Sequence, residues 1–165
     1  MRHTRHTFCL LSAFLMTIAL SACSSEDCPI NNTVQGKMTF VSHLGDPVSI
    51  ANATLSVSVV RQQGDSVILN QKRNAADVAF PLSYTHETDT FIFCYNLDGQ
   101  TMYDSLYISH TNTPTLVSVD CGTAMFHHIT SASSTQYLID TLILKASEVN
   151  YDERENIQVV YRTAD

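Results

Sequence analysis

The chain has 165 residues, with 9 Lys and Arg set against 16 Asp and Glu, a formal charge of −7 and no tryptophan. An acidic balance of this size excludes nucleic acid as a partner, because phosphate neutralisation needs clustered Lys and Arg. The length suits one domain with one core.

The first 22 residues read as an export signal and are set apart from the fold. Arg2 and Arg5 make a basic start, and Phe8 to Leu20 is an apolar run of 13 residues. As a helix that run spans ~20 Å at ~1.5 Å per residue, short of the ~30 Å hydrocarbon core of a bilayer. Leu20-Ser21-Ala22-Cys23 reads as a lipobox, at which a bacterial lipoprotein precursor is lipidated on Cys23 and cut before it. Cleavage there leaves 143 residues; without Arg2 and Arg5, seven basic residues face sixteen acidic ones, a formal charge of −9. Residues 23–33 then form a lipidated N-terminus and polar tether, and residues 34–165 a single domain. Ser24-Ser25-Glu26-Asp27 resembles the signal that sends lipoproteins of the Bacteroidetes type to the outer face of the outer membrane. No later run approaches the ~20 apolar residues of a membrane helix. The expected membrane link is therefore the lipid, held stably by two or more acyl chains. The expected location is the outer membrane, facing the periplasm or the cell surface.

Three cysteines remain able to pair once Cys9 is removed and Cys23 is acylated. Cys94 lies within Phe91-Ile92-Phe93-Cys94-Tyr95, where a free cysteine behaves as a small buried hydrophobe, whereas Cys28 and Cys121 lie beside Asp, Pro and Gly in loop-like settings. A Cys28 to Cys121 disulfide is expected. It closes a loop of about 90 residues and contributes on the order of 4 kcal/mol in the chain-entropy account.

From Val34 onward the apolar residues alternate, the period of half-buried strands. Gly36, Met38 and Phe40 share a face, and Gly45-Asp46-Pro47 is a turn signal. Leu55, Val57 and Val59 point one way while Thr54, Ser56 and Ser58 point the other. After Gln63-Gly64-Asp65 comes Val67-Ile68-Leu69, and residues 71–76 have room for one helical turn. Val78, Phe80, Leu82 and Tyr84 form the next alternating set; Pro81, unable to donate to a ladder, places it at a sheet edge. Thr90 to Asn96 and Met102 to Ser109 flank Asp98-Gly99, the strongest hairpin cue, with Leu106 and Ile108 facing in. His110 to Pro114 reads as a break, Met125 to Thr130 as a strand, and Ser131 to Ser134 as a loop. Tyr137 to Lys145 is apolar on both faces, implying cover by the tether or a partner chain, and Ile157, Val159 and Tyr161 close the chain. About ten short strands with turns every 8 to 12 residues predict an all-β, antiparallel β-sandwich, immunoglobulin-like or related.

No stretch carries a reaction. His127 and His128, as strand neighbours, point to opposite faces and do not chelate one metal. Asp152-Glu153-Arg154-Glu155 lacks the spacing and central glycine of a calcium loop. Nucleophile and phosphate-loop motifs are absent, and no cofactor is expected. Tyr103 and Tyr107 share the outward face of one strand, a surface suited to sugar contacts. A hydrolase with paired carboxylates needs two of Asp104, Asp140 and Glu155 to meet across roughly 5 to 9 Å. A calcium-stabilised structural domain is the remaining alternative.

The chain also resembles an uncharacterised family of Bacteroidetes lipoproteins, a domain of unknown function. The resemblance rests on Asp27-Cys28-Pro29 with Asn31-Asn32-Thr33, on His110-Thr111-Asn112-Thr113-Pro114, on Asp120 to Phe126, and on Val149-Asn150-Tyr151-Asp152 with Glu155-Asn156. It implies that Cys28 and Cys121 are a matched pair and Cys94 an addition of this chain, and it implies no catalytic residue. The resulting expectation is a lipid-anchored binding or assembly module rather than an enzyme. Its partner is an envelope protein or glycan, met at sheet edges or at two loops, one with His110, Asn112 and Pro114, the other with Asn150, Tyr151 and Asp152.

Overall fold

The computed structural model describes Cys28, residues 33–46 and residues 53–162. The lipobox with Cys23, and Ser24 to Asp27 after it, lie outside the described residues. The chain divides into two compact units, Met1–Ile30 and Asn31–Asp165. The second holds every strand among the described residues: β1 (Gln35–Val41), β2 (Ala53–Val59), β3 (Ser66–Arg73), β4 (Asp77–Pro81), β5 (Thr88–Leu97), β6 (Gln100–Ser118), β7 (Gly122–Ser134), β8 (Ile139–Leu144), β9 (Glu148–Val149) and β10 (Glu155–Tyr161). They form a four-stranded sheet, β4-β1-β10-β8, and a six-stranded sheet, β3-β2-β5-β6-β7-β9.

Alternation decides which faces meet. Met38 and Phe40 of β1, Phe80 of β4 and Ile157 and Val159 of β10 share one core with Val57 of β2, Phe91 and Phe93 of β5 and Leu106 and Ile108 of β6. Aromatic rings cross from sheet to sheet: Phe80 meets Phe91 edge-on at 5.5 Å, Phe40 meets Phe93 at 6.2 Å, and Tyr95 meets Tyr161 at 5.9 Å. Each such contact adds roughly 1 kcal/mol beyond its buried area. The Tyr95 hydroxyl donates to that of Tyr161, and burial pushes both phenols well above their ordinary range.

The expected sandwich is present, with one departure from an all-antiparallel pattern, since β1 and β10 pair in parallel. The Asp98-Gly99 hairpin joins β5 to β6 with both turn residues at positive φ, 49° and 82°. Pro81 lies on β4, which is a sheet edge as expected. Residues 71–73 continue β3 instead of making a helical turn; the chain reverses at Asn74, φ 53°.

β8 is an edge strand of the smaller sheet, and Ile143 and Leu144 are exposed, so it is not covered on both faces by the described residues. A bulge opposite Val160/Tyr161 shifts the register at Asp140, putting Ile139 on the core side with Leu142. Two-residue alternation without that bulge puts those two on opposite faces. β6 and β7 form a long hairpin that runs past β5, whose ladder with β6 ends at Thr88 and Ser109. His110 to Pro114 and Ser131 to Ser134 are therefore strand, not loop. Pro114 is tolerated because β6 there has only β7 as a ladder neighbour.

Gly36 shows how closely the smaller sheet is packed. A Cβ at this position lies 2.2 Å from Cζ of Phe80, which pairs with it across β1 and β4. The ring occupies the space above the glycine. Gly36→Ala is expected to destabilise the domain by roughly 1–3 kcal/mol, read as a lower urea midpoint with an unchanged m-value. Alanine at Gly36 with an unaltered midpoint contradicts this packing.

Candidate functional site

Five polar or charged side chains are buried among the described residues: Asp89, Asp104, His110, His127 and Asn156. Two of them are fully engaged in holding the backbone. Asp104, on β6, accepts from the Thr135 hydroxyl and the Tyr137 N–H on one oxygen, and from the N–H groups of Leu138 and Ile139 on the other. These four bonds, 2.7 to 3.1 Å long, fold the β7–β8 connection around one carboxylate. Asn156 accepts from the Lys37 N–H and donates to the carbonyls of Ala146 and Glu148, closing the chain between β8 and β9.

The other three form a connected network at the end of the sandwich where β5 begins. Asp89 lies in the inward row of β5 with Phe91, Phe93 and Tyr95. Its Oδ1 is ion-paired with Arg61, from the segment after β2, and its Oδ2 accepts from the Ser83 N–H at 2.7 Å. His110 Nε2 stands 3.0 Å from the same oxygen, and His110 Nδ1 lies 2.9 Å from Oδ1 of Asn112. Asn112 donates to the carbonyl of His86, which fixes its amide so that Oδ1 faces the histidines. Both nitrogens of His110 thus face side-chain oxygens, one of Asp89 and one of Asn112.

His127 completes the network from β7. Its Nδ1 lies 2.7 Å from the same Asn112 oxygen, its ring meets His110 edge-on at 5.3 Å, and Tyr84 stacks on it at 5.8 Å. With Nδ1 as donor, Nε2 carries the lone pair; it is buried and has no hydrogen-bond partner among the described residues. Burial first, and then the neighbouring His110, push the imidazole pKa down, Asp89 partly offsets both, and the net value is about 4. A cleft of about 600 Å³ opens beside the network, with Arg61 and Asp89 in its lining together with Gln62, Gln63, Thr85 and Thr88. That volume is within the range of small-molecule sites.

The residues singled out from sequence fall into several places. His110 and Asn112 belong to the buried network, and Pro114 to the exposed part of β6; the three do not form a loop surface, because strand β6 runs through them. Asn150 and Tyr151 do lie in a turn and line a second cleft of about 280 Å³. The Tyr151 ring meets Phe126 edge-on at 5.5 Å, and its hydroxyl is buried without a partner among the described residues. Asp152 is exposed, its backbone N–H donates to Oδ1 of Asn150, and its carboxylate pairs with Arg154 at 3.3 Å.

Cys28 and Cys121 are disulfide-bonded, and Cys94 is free. Cys94 is only half-buried, on the outward face of β5 opposite Tyr103, rather than in the core. The hydrogen bond with Cys94 raises the Tyr103 phenol, and Tyr103 and Tyr107 are exposed as expected. His128 faces outward to Glu148 at 2.6 Å while its neighbour His127 faces in. The three acids weighed for hydrolysis keep separate company: Asp104 with backbone amides, Asp140 with His43 and Arg162, Glu155 with Thr39. Among the described residues no group of three or more His, Cys, Asp or Glu is placed to hold a metal ion.

Arg61, Tyr84 and Asp89 are the network members that motif reading passes over. Their signal is parity: Asp89 sits two before Phe91, and His110 two after Ile108, so each extends an apolar inward row with a group that must find a partner.

The fold and site together define a two-sheet, all-β domain with a buried Arg–Asp–His network beneath an open cleft. The chain belongs to the DUF6452 family, a family of unknown function, whose model matches residues 54–161. The match takes in Arg61, Asp89, His110, Asn112, His127 and Cys121. No curated protein and no solved structure matches the chain.

Two expectations follow from these bonds. Asp104→Asn replaces an acceptor oxygen by an NH2 group facing other donors, and is expected to lower stability by roughly 3 kcal/mol, measured by urea denaturation. An asparagine variant of unchanged stability removes Asp104 from its structural role. The pKa of His127, about 4 when folded against an ordinary 6.5, means that the unfolded chain binds this proton first as pH falls. Its contribution is complete above pH ~6.5 and lost progressively towards pH ~4. The fall in melting temperature between those limits is therefore expected to be shallower in His127→Gln than in the native protein. Parallel melting curves for the two contradict the assignment.

Proposed function

We propose that the chain is an exported lipoprotein of the Bacteroidetes type, held in the outer membrane by acyl chains on Cys23, whose β domain is a binding or assembly module. The observation that carries this reading is Leu20-Ser21-Ala22-Cys23, preceded by a basic start and an apolar run too short to span a bilayer. The Cys28–Cys121 disulfide supports it, since such bonds form and persist in oxidising compartments outside the cytosol. The cleft beside Arg61 and the turn at Asn150 to Asp152 offer the domain concave and polar surfaces for an envelope protein or glycan.

Lipidation tests the anchor directly. Cells fed labelled palmitate are expected to incorporate it into the native protein, which leaves the membrane fraction only with detergent. Cys23→Ala is expected to lose both the label and the membrane retention. Retention unchanged in that variant, or a native protein that takes up no label, refutes the anchor.

A further inference from the structure

The cleft beside the buried network has a chemistry of its own. Three hydrogen bonds use three of the five guanidinium hydrogens of Arg61: two from Nη1, to Asp89 and to the Val60 carbonyl, and one from Nη2, to the Pro81 carbonyl. Nε–H and one Nη2–H remain without acceptors among the described residues. The Arg61 side chain is 31% exposed, whereas that of Asp89 beneath it is 1% exposed. The Asp89 carboxylate is therefore shared by Arg61 and His110, and Arg61 brings a cationic group to the cleft of a chain whose formal charge is −7.

We infer that this cleft binds a carboxylated saccharide, with the carboxylate of the sugar on the open side of the Arg61 guanidinium. Arg is suited to this because its planar fork matches a carboxylate with two parallel hydrogen bonds. Asp89, gripped by the Ser83 N–H and His110, holds the guanidinium from the buried side, so the fork is oriented before a ligand arrives. The remaining lining sets hydroxyls and amides of Gln62, Gln63, Thr85 and Thr88 beside the apolar Val60 and the ring of His86, a mixture that suits the hydroxyl groups and C–H faces of a sugar. The net acidic charge disfavours densely charged polyanions, while a sugar carboxylate matches the hydrogens that Arg61 leaves unfilled.

This inference rests on reading the domain as a binding module, and it is tested apart from the anchor, since palmitate labelling reports on Cys23 alone. The full-length protein, solubilised in detergent, is titrated calorimetrically with di- and trigalacturonate, with the same oligomers as methyl esters, and with a short acidic peptide. Saturable binding of the galacturonates is expected, weakened by roughly tenfold or more on esterification. Arg61→Lys, which keeps the charge and loses the fork, is expected to weaken it comparably, while Leu116→Ala, exposed at the far end of β6, leaves it unchanged. Equal binding of acid and ester, no binding of either, or a preference for the peptide overturns the proposal. If Arg61→Lys does not fold, Gln63→Ala at the exposed rim serves in its place, and undiminished affinity there is likewise contrary.

Discussion

The two sheets are held together by rings that cross between them, Phe80 on Phe91, Phe40 on Phe93 and Tyr95 on Tyr161. Every other feature of the domain depends on the rows these rings belong to. A strand that commits one residue of a row to the interior commits every second residue along it, so β5 carries Asp89 inward with Phe91, and β6 carries Asp104 and His110 inward with Leu106 and Ile108. Charged side chains thus reach the core because of the register that the aromatic rows fix. Once there, each must be paired, since an unpaired buried charge costs far more than any one packing contact contributes.

The pairings divide into two kinds. Asp104 and Asn156 bind backbone groups from segments without ladder partners of their own, and each closes a connection that the sheets leave open. Their partners are fixed and their valences filled. Asp89 binds two other side chains as well as the Ser83 N–H, and the chain of contacts through His110 and Asn112 ends at a histidine nitrogen with no partner among the described residues. A network with one open end, beside a cleft, is poorly explained by stability alone: an apolar core of the same shape removes the cost of desolvation. The difference between the two kinds is what separates scaffold from candidate site here.

Much of the scaffold was legible in the sequence because burial repeats every two residues. The inward sets Met38 and Phe40, Leu55 to Val59, and Leu106 with Ile108 are all buried, and the Asp98-Gly99 turn and the Cys28–Cys121 bond are where local chemistry puts them. Failures came where a long-range pairing overrode a local cue. Pro114 and its polar neighbours resemble a loop, but β7 continues opposite them and the ladder extends. The bulge at Asp140 moves Ile139 to the core side, and no local residue pattern announces it. Cys94 was assigned to the core from its apolar neighbours, although alternation with Phe93 and Tyr95 turns it outward. The candidate site was the least legible part, because Arg61, Ser83, Asp89, His110, Asn112 and His127 come from five separate segments that only the sheet order brings together.

That sheet order also explains why the network sits where it does. The ladder between β5 and β6 stops at Thr88 and Ser109, and the next bond in line is from the His110 N–H to the Glu87 carbonyl, as the chain before β5 turns away. At this point β6 keeps β7 as its ladder neighbour and loses β5, so the interior opens toward the segments carrying Arg61 and Ser83 to His86. A second bulge, between Ser109 and His110, keeps His110 opposite Ile129 and lets His127 fall on the same inward face two residues earlier. Two imidazoles and a carboxylate therefore converge at the one end of the core where strand pairing runs out, and the segments that close that end also line the cleft. The same geometry that exposes the core there supplies the polar groups that seal it, so that the ending ladder and the charged seal coincide beside the cleft.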